Sequence, residues 1–309
     1  MRDELLVIVG PTAAGKTALG VALAEHFGGE VVSADAFAVY HGLDIGTAKP
    51  DRAVRARIPH HLIDIADPHS RYSAGNFVRD ADAAIAGIRE RAKLPIVVGG
   101  TLFYVRALLH GLFPEPVRNL ELRERLERWW ATSPDEVRSR LAEVDPESHA
   151  RIPARDRQRT LRALEVFLLA GRPMSELWRE EPRVGPRYEF MMLGVNRRRA
   201  ELHARITSRV GRMFAAGLVA EVAGLLANGV GPEAHAFKAI GYREACLVAQ
   251  GRWSEAEGQA ATIAATKQLA KRQMTWLRGE VGVEWLAEED PFTSARIRLE
   301  AAGGAGARP

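Results

Sequence analysis

Residues 10–17, Gly-Pro-Thr-Ala-Ala-Gly-Lys-Thr, restrict the fold more than any other stretch of this chain. The pattern G-x-x-x-x-G-K-[ST] is a phosphate loop, and it works only between a strand and a helix. Its backbone amides wrap phosphate oxygens, the helix N-terminus adds partial positive charge, and the lysine adds a full one. Both neighbours are present. Residues 4–9, ELLVIV, read as a strand buried in a parallel sheet, and Leu19, Ala22, Leu23 and Phe27 have helical spacing over 17–27. We therefore expect Gly10, Pro11, Thr12, Ala13, Ala14, Gly15 and Lys16 to cradle phosphates and Thr17 to ligate Mg²⁺. The loop implies a ligand with at least two phosphoryl groups; it does not distinguish ATP from another diphosphate.

The rest of the chain continues the alternation of strand and helix. Strands are expected over 30–35, 94–101 and 188–196, with helices over 73–93, 200–227 and 254–278. Ser73 is a candidate N-cap, and Pro95 prevents the preceding helix from continuing. Between 119 and 184 the pattern changes to Arg- and Glu-rich helical periodicity, broken by SPDE, VDPES and RIPARD. The expected architecture is an α/β core of the P-loop NTPase type, a parallel sheet flanked by helices, formed by 1–118 and 185–309. An all-helical domain, 119–184, is inserted into it, and the tail 301–309 is expected to be unstructured.

No apolar run approaches the roughly 20 residues that span a bilayer, and nothing resembling a signal peptide precedes the first strand, so a cytoplasmic protein is expected. A single cysteine, Cys246, excludes an internal disulfide. Net charge is only +4, but the arginines are grouped. Arg197, Arg198, Arg199, Arg205, Arg209 and Arg212 face Glu201 alone within their stretch, and a similar excess marks 151–172 and 267–278. One such stretch is usually a solvated helix face. Three together point to a polyanionic partner.

Asp35 ends the second strand, where either of two roles suits it: a turn or cap residue, or a carboxylate facing a reacting atom. His60 and His61 are adjacent and cannot both face one ion from a strand, so packing or hydrogen bonding is expected of them rather than metal binding.

Together with the loop, SADAFAVYHGLDIGTAKP (33–50), PHHLIDIADP (59–68), YSAGNF (72–77), IVVGGTLFYVRALLHG (96–111), DRQRTLRALEV (156–166), FKAIGYRE (237–244) and TKQLAKRQMTWLR (266–278) closely resemble the tRNA dimethylallyltransferases. The resemblance spans about 4–286, and DIGTAKP and QLAKRQMTWLR are more distinctive than the loop.

What the resemblance implies is transfer of a dimethylallyl group from dimethylallyl diphosphate to N6 of the adenine beside the anticodon, in tRNAs reading codons that begin with U. The loop would then grip a departing diphosphate. Asp35 matches the family's base. Lys16, Thr101 and an arginine of the basic helix, Arg209 first and Arg205 second, suit the leaving group. Contacts to the tRNA anticodon stem-loop carry over to Asp35, Ala36, Phe37, Ala38, Thr101 and Arg123. They carry over equally to Gln158, Arg159, Thr160, Leu161 and Arg162, and to Ala239, Ile240, Gly241, Tyr242, Arg243 and Glu244. A monomer without a membrane anchor is expected. Two departures stand out: Ala36 and Ala38 replace a serine and a glutamine common in the family, removing polar groups that could reach a base edge. The alternatives are a small-molecule kinase, prenyl transfer to free adenine nucleotides, and a non-catalytic RNA-binding protein.

Overall fold

The computed structural model describes residues 4–112, 119–180 and 185–305. A parallel strand covered on both faces must be apolar along its length, and β1 (Leu5–Val9) is buried at every position. It lies inside a six-stranded parallel sheet ordered β3-β2-β4-β1-β5-β6. The other strands are β2 (Gly29–Ala34), β3 (His60–His61), β4 (Leu94–Gly99), β5 (Phe190–Gly194) and β6 (Val283–Trp285). The two-residue β3 and the half-exposed β6 have no counterpart among the expected strands. Both are too short to show a period.

Helices α1 (Lys16–Phe27), α2 (Arg52–Arg57), α3 (Ala74–Glu90) and α4 (Leu102–His110) belong to the first half of this unit. Ser73 caps α3 with Asn76 in a reciprocal capping box. The unit runs up to Gly111 and resumes at Pro186.

A second unit, Leu112–Gly185, contains α5 (Leu120–Thr132), α6 (Pro134–Val144), α7 (Pro146–Arg151), α8 (Arg157–Ala170) and α9 (Met174–Glu180). It has its own apolar core around Leu126, Val137, Leu141, Leu161 and Leu164. The boundary positions 118 and 184 expected from the sequence lie outside the described residues.

In the first unit again, the chain forms α10 (Arg199–Ala215), α11 (Leu218–Ala227), α12 (Tyr242–Ala249), α13 (Glu255–Arg278) and α14 (Pro291–Ala305). The single helix expected over 200–227 is corrected to two, bent by 52°. Gly217 causes the break: its φ of 95° lies in the left-handed region, where a residue with a Cβ is strained. The tail is corrected as well, because α14 carries it as helix through Ala305. Buried Ala295 and Leu299 anchor that helix, and Ala301 and Ala302 favour its continuation as far as Gly303. Residues 306–309 lie outside the described residues. Among the described residues no single helix is long and apolar enough to cross a membrane; the bent pair α10 and α11 passes on length and composition. Leu202, Ile206, Leu218 and Val222 bury its apolar face in the core.

His60 and His61 act as hydrogen-bonding residues. His60 Nδ1 lies 2.7 Å from the Ile58 carbonyl, and His61 Nε2 lies 2.7 Å from Glu30 Oε2. Arg91 donates to both oxygens of Glu30 at 3.0 and 2.6 Å, joining the end of α3 to β2. Arg91, and after it His61, hold the Glu30 carboxyl below its ordinary value against the opposing effect of burial. A depressed carboxylate contributes stability above its unfolded value near 4.5, and loses it as pH falls through the folded one. Glu30→Gln should therefore cost about 1–2 kcal/mol at neutral pH, discounted because Arg91 is half exposed. The gap in thermal melting between variant and parent should close as pH falls below 4.5.

Candidate active site

The registers of the sheet align four strand ends. Val9 pairs with both Gly99 and Gly194, and Ala34 pairs with Gly99. The segments that follow these ends, the phosphate loop, Asp35, Gly100-Thr101 and Val195–Arg197, therefore emerge side by side. With β4, β2 and β3 on one side of β1 and β5 and β6 on the other, this is where strand order reverses, the usual ligand crevice of open α/β sheets.

The loop's own lysine and two arginines from the segment after β5 hold the outer carbonyls of the loop. Lys16 Nζ donates to Pro11 O at 2.8 Å, Arg205 Nε to Ala13 O at 2.9 Å, and Arg197 Nε to Ala14 O at 3.4 Å. Ala13 has a φ of 65°, a conformation costing about 1 kcal/mol or more for a non-glycine residue, and the Arg205 bond helps retain it. Gln273 Oε1 accepts from Thr12 N at 2.8 Å. Because α1 starts at Lys16, its first-turn amides have no helical acceptor and are available to an anion. Arg209 Nη1 approaches Thr12 Oγ1 at 3.4 Å.

Burial first, and then the charge of Arg209, lower the Lys16 ammonium to about 8, with Asp35 acting in the opposite direction. Burial likewise lowers Arg209, again countered by Asp35. Two desolvated cations and one carboxylate thus sense each other at the mouth of the loop.

Asp35 takes the first of the two roles that the sequence left open, that of a turn residue. Its Oδ1 accepts from Phe37 N and Ala38 N at 2.9 and 3.1 Å, closing a turn. Oδ2 makes no hydrogen bond among the described residues. Thr101 N donates to Ala34 O, and Thr101 Oγ1 accepts from Ala36 N at 3.1 Å, which ties the two strand ends together and leaves the hydroxyl proton free to donate elsewhere. Thr17 is exposed at the first turn of α1, and no group of three His, Cys, Asp or Glu forms a metal cluster among the described residues.

The expected RNA-contact positions divide in two. Phe37 is half-buried, with its ring centroid 6.0 Å from that of His235 in a stacked arrangement, and Ile240 is half-buried while Arg243 is exposed. In the second unit Gln158 and Arg159 are exposed, and Arg123 and Arg162 flank the buried Glu165 at 3.6 and 2.9 Å. Several of the remaining side chains are taken up by the fold. Ala38, Thr160, Leu161, Ala239 and Tyr242 are buried, as is Glu244, which caps Gly241 N. The Tyr242 hydroxyl donates to Glu221 and accepts from Gly46 N, fixing the DIGTAKP loop, whose Asp44 and Ile45 amides also bond Glu221.

Gln273, Arg197 and Glu221 were given no individual role by the sequence. The only signal was that Gln273 lies inside QLAKRQMTWLR. Beside the loop, Arg197, Arg198, Lys267, Lys271, Arg278 and His203 line a cavity of about 540 Å³ in which Glu288 is the acidic residue.

The IPP transferase family model matches residues 38–280. The chain belongs to the IPP transferase family. A second model, isopentenyl transferase, matches residues 3–57, which include the loop and Asp35. Among relatives of this IPP transferase, the tRNA dimethylallyltransferase of Halorhodospira halophila is 48% identical, covering 94% of this chain and 94% of the relative. That of Geobacter sulfurreducens is 43% identical, covering 95% and 94%. A solved tRNA isopentenylpyrophosphate transferase from Bacillus halodurans has 34% identity and a TM-score of 0.71 over 97% of this chain and 96% of its own.

Proposed function

We infer that this IPP transferase moves a dimethylallyl group from dimethylallyl diphosphate to N6 of the adenine 3′-adjacent to the anticodon in tRNA, releasing diphosphate. The observation that carries the inference is the meeting of Lys16, Arg209 and Asp35 at one strand edge. Prenyl transfer needs both the cations and the carboxylate. A kinase would use the same cations and could use such a carboxylate on Mg²⁺ or as a base, so the choice rests equally on membership of the IPP transferase family.

Loop amides, Lys16 and Arg209 bind the diphosphate, with Arg205 supporting the loop from outside. As the allylic C1–O bond breaks, its electron pair stays on the diphosphate, where these donors meet the growing charge. Adenine N6 forms the new bond to C1, and Asp35 takes the proton that N6 loses. Thr101 donates toward the diphosphate while keeping Ala36, and so the Asp35 turn, in place. An exposed threonine hydroxyl at the first turn of α1, beside a phosphate loop, suits Mg²⁺, which takes few protein oxygens and otherwise keeps water and phosphate ligands. Thr17 would hold it, and it would add positive charge at the leaving group.

For RNA, Phe37 and Ile240 offer apolar surface to a splayed base, and Arg243, Arg159, Gln158, Arg123 and Arg162 offer donors to phosphates. Within the first unit, the basic cavity lined by α13 adds further donors. The helical second unit supports tRNA over a free nucleotide as acceptor.

Incubation with Mg²⁺, unmodified tRNA and labelled dimethylallyl diphosphate should label tRNA at one adenosine. Labelling of free AMP in preference to tRNA, or rapid ATP hydrolysis without transfer, would contradict the reading.

A further inference from the structure

We propose that Gln273 is a positioning residue that locks the phosphate loop to the Thr101 turn, so that the grip on the diphosphate and the aim of Asp35 are set together. The proposal rests on the prenyl-transfer reading of the site. Gln273 is almost fully buried on α13, 261 residues beyond the loop it touches. Its Oε1 accepts from Thr12 N at 2.8 Å, and its Nε2 donates to Gly100 O at 2.8 Å. One bond needs an acceptor and the other a donor, so the amide has a single orientation; flipping it would set donor against donor and acceptor against acceptor.

Everything around the side chain fits this connection. Ala270 and Leu277, one turn to either side on α13, are buried and fix the helix against the core. A Cβ at Gly100 would stand 2.6 Å from Gln273 Nε2, so the glycine makes room for the amide. With Thr12 N held by Gln273, the helix-start amides of α1 stay available to the phosphates. From Gly100 the path runs through Thr101 to Ala36 N, next to Asp35. From Thr12 it runs to Arg209 and, one residue on, to the left-handed Ala13. Without Gln273 the loop keeps its cations but loses its fixed distance from the turn that carries the base. A misplacement of about 1 Å in such a site can cost on the order of 100-fold in rate.

Gln273→Met preserves length and removes both bonds. Gly100→Ala leaves the glutamine in place and displaces its amide from the opposite side. For each, thermal melting reports folding, calorimetry measures the Kd of inorganic pyrophosphate with Mg²⁺, and kinetics at varied tRNA and dimethylallyl diphosphate separate the two KM values. Both variants should bind pyrophosphate about tenfold more weakly and lose about 30- to 100-fold in kcat/KM for dimethylallyl diphosphate, with KM for tRNA within about twofold of the parent. A purely structural role would lower the melting temperature and the active fraction without changing pyrophosphate Kd. Parental pyrophosphate affinity in folded Gln273→Met, or in Gly100→Ala should the former not fold, overturns the proposal. Failure of the parent itself to label tRNA would overturn the reaction instead, and the pyrophosphate measurement is independent of that outcome.

Discussion

Asp35→Asn is expected to lower the rate of prenyl transfer by about 10³-fold while pyrophosphate binding is retained or tightened. The asparagine is the informative substitution because the proposed mechanism gives the two oxygens of Asp35 separate functions. Oδ1 closes the turn over Phe37 and Ala38, and a carboxamide oxygen can do the same. In the proposed mechanism Oδ2 accepts the N6 proton, and an amide nitrogen cannot. Asp35→Ala removes both, and so should add a stability loss of about 1 kcal/mol from the missing cap. The binding result has a clear sign: Asp35 stabilises the charged forms of Lys16 and Arg209, so removing its charge leaves those cations less compensated and more attractive to an anion. Single-turnover transfer to tRNA, paired with pyrophosphate calorimetry, checks both. Retention of activity within tenfold by Asp35→Asn would remove this carboxylate from the chemistry.

Lys16→Met should weaken pyrophosphate binding by about 100-fold and reduce kcat/KM for dimethylallyl diphosphate by at least as much. The ammonium lies in a desolvated position, where its interaction with a phosphate is little screened. Methionine fills the same channel without the charge. The protein should not become less stable, because in the free state the lysine bears the cost of burial and the repulsion of Arg209, offset only by Asp35 and one carbonyl bond. An unchanged or raised melting temperature together with lost affinity is the signature of a residue kept for binding at the expense of stability. A variant that binds pyrophosphate like the parent would move the anion site away from the loop.

The parallel core was legible in the sequence because strands buried on both faces are continuous apolar runs, and because the phosphate loop brings its strand and helix with it. Asp35 was legible as a strand-end carboxylate, although not the division of labour between its oxygens. What escaped depends on contacts between residues far apart in the chain. Gln273 sits in an unremarkable polar place on a long helix until Thr12 and Gly100 are brought to it. Tyr242 looks like a ligand contact in AIGYRE, whereas its hydroxyl is spent on Glu221 and Gly46. β3 and β6 form only because β2 and β5 already offer an edge to pair with.

The loop is held in shape from outside, by Arg197, Arg205 and Gln273. A receptor so preorganised for two linked phosphoryl groups does not discriminate between a diphosphate that still carries its allyl chain and one that has lost it. Free pyrophosphate should therefore compete with the donor substrate, and sustained turnover requires that this by-product be removed from solution. Modification would then depend on how quickly a separate pyrophosphate-hydrolysing activity clears the product, as well as on the supply of isoprenoid.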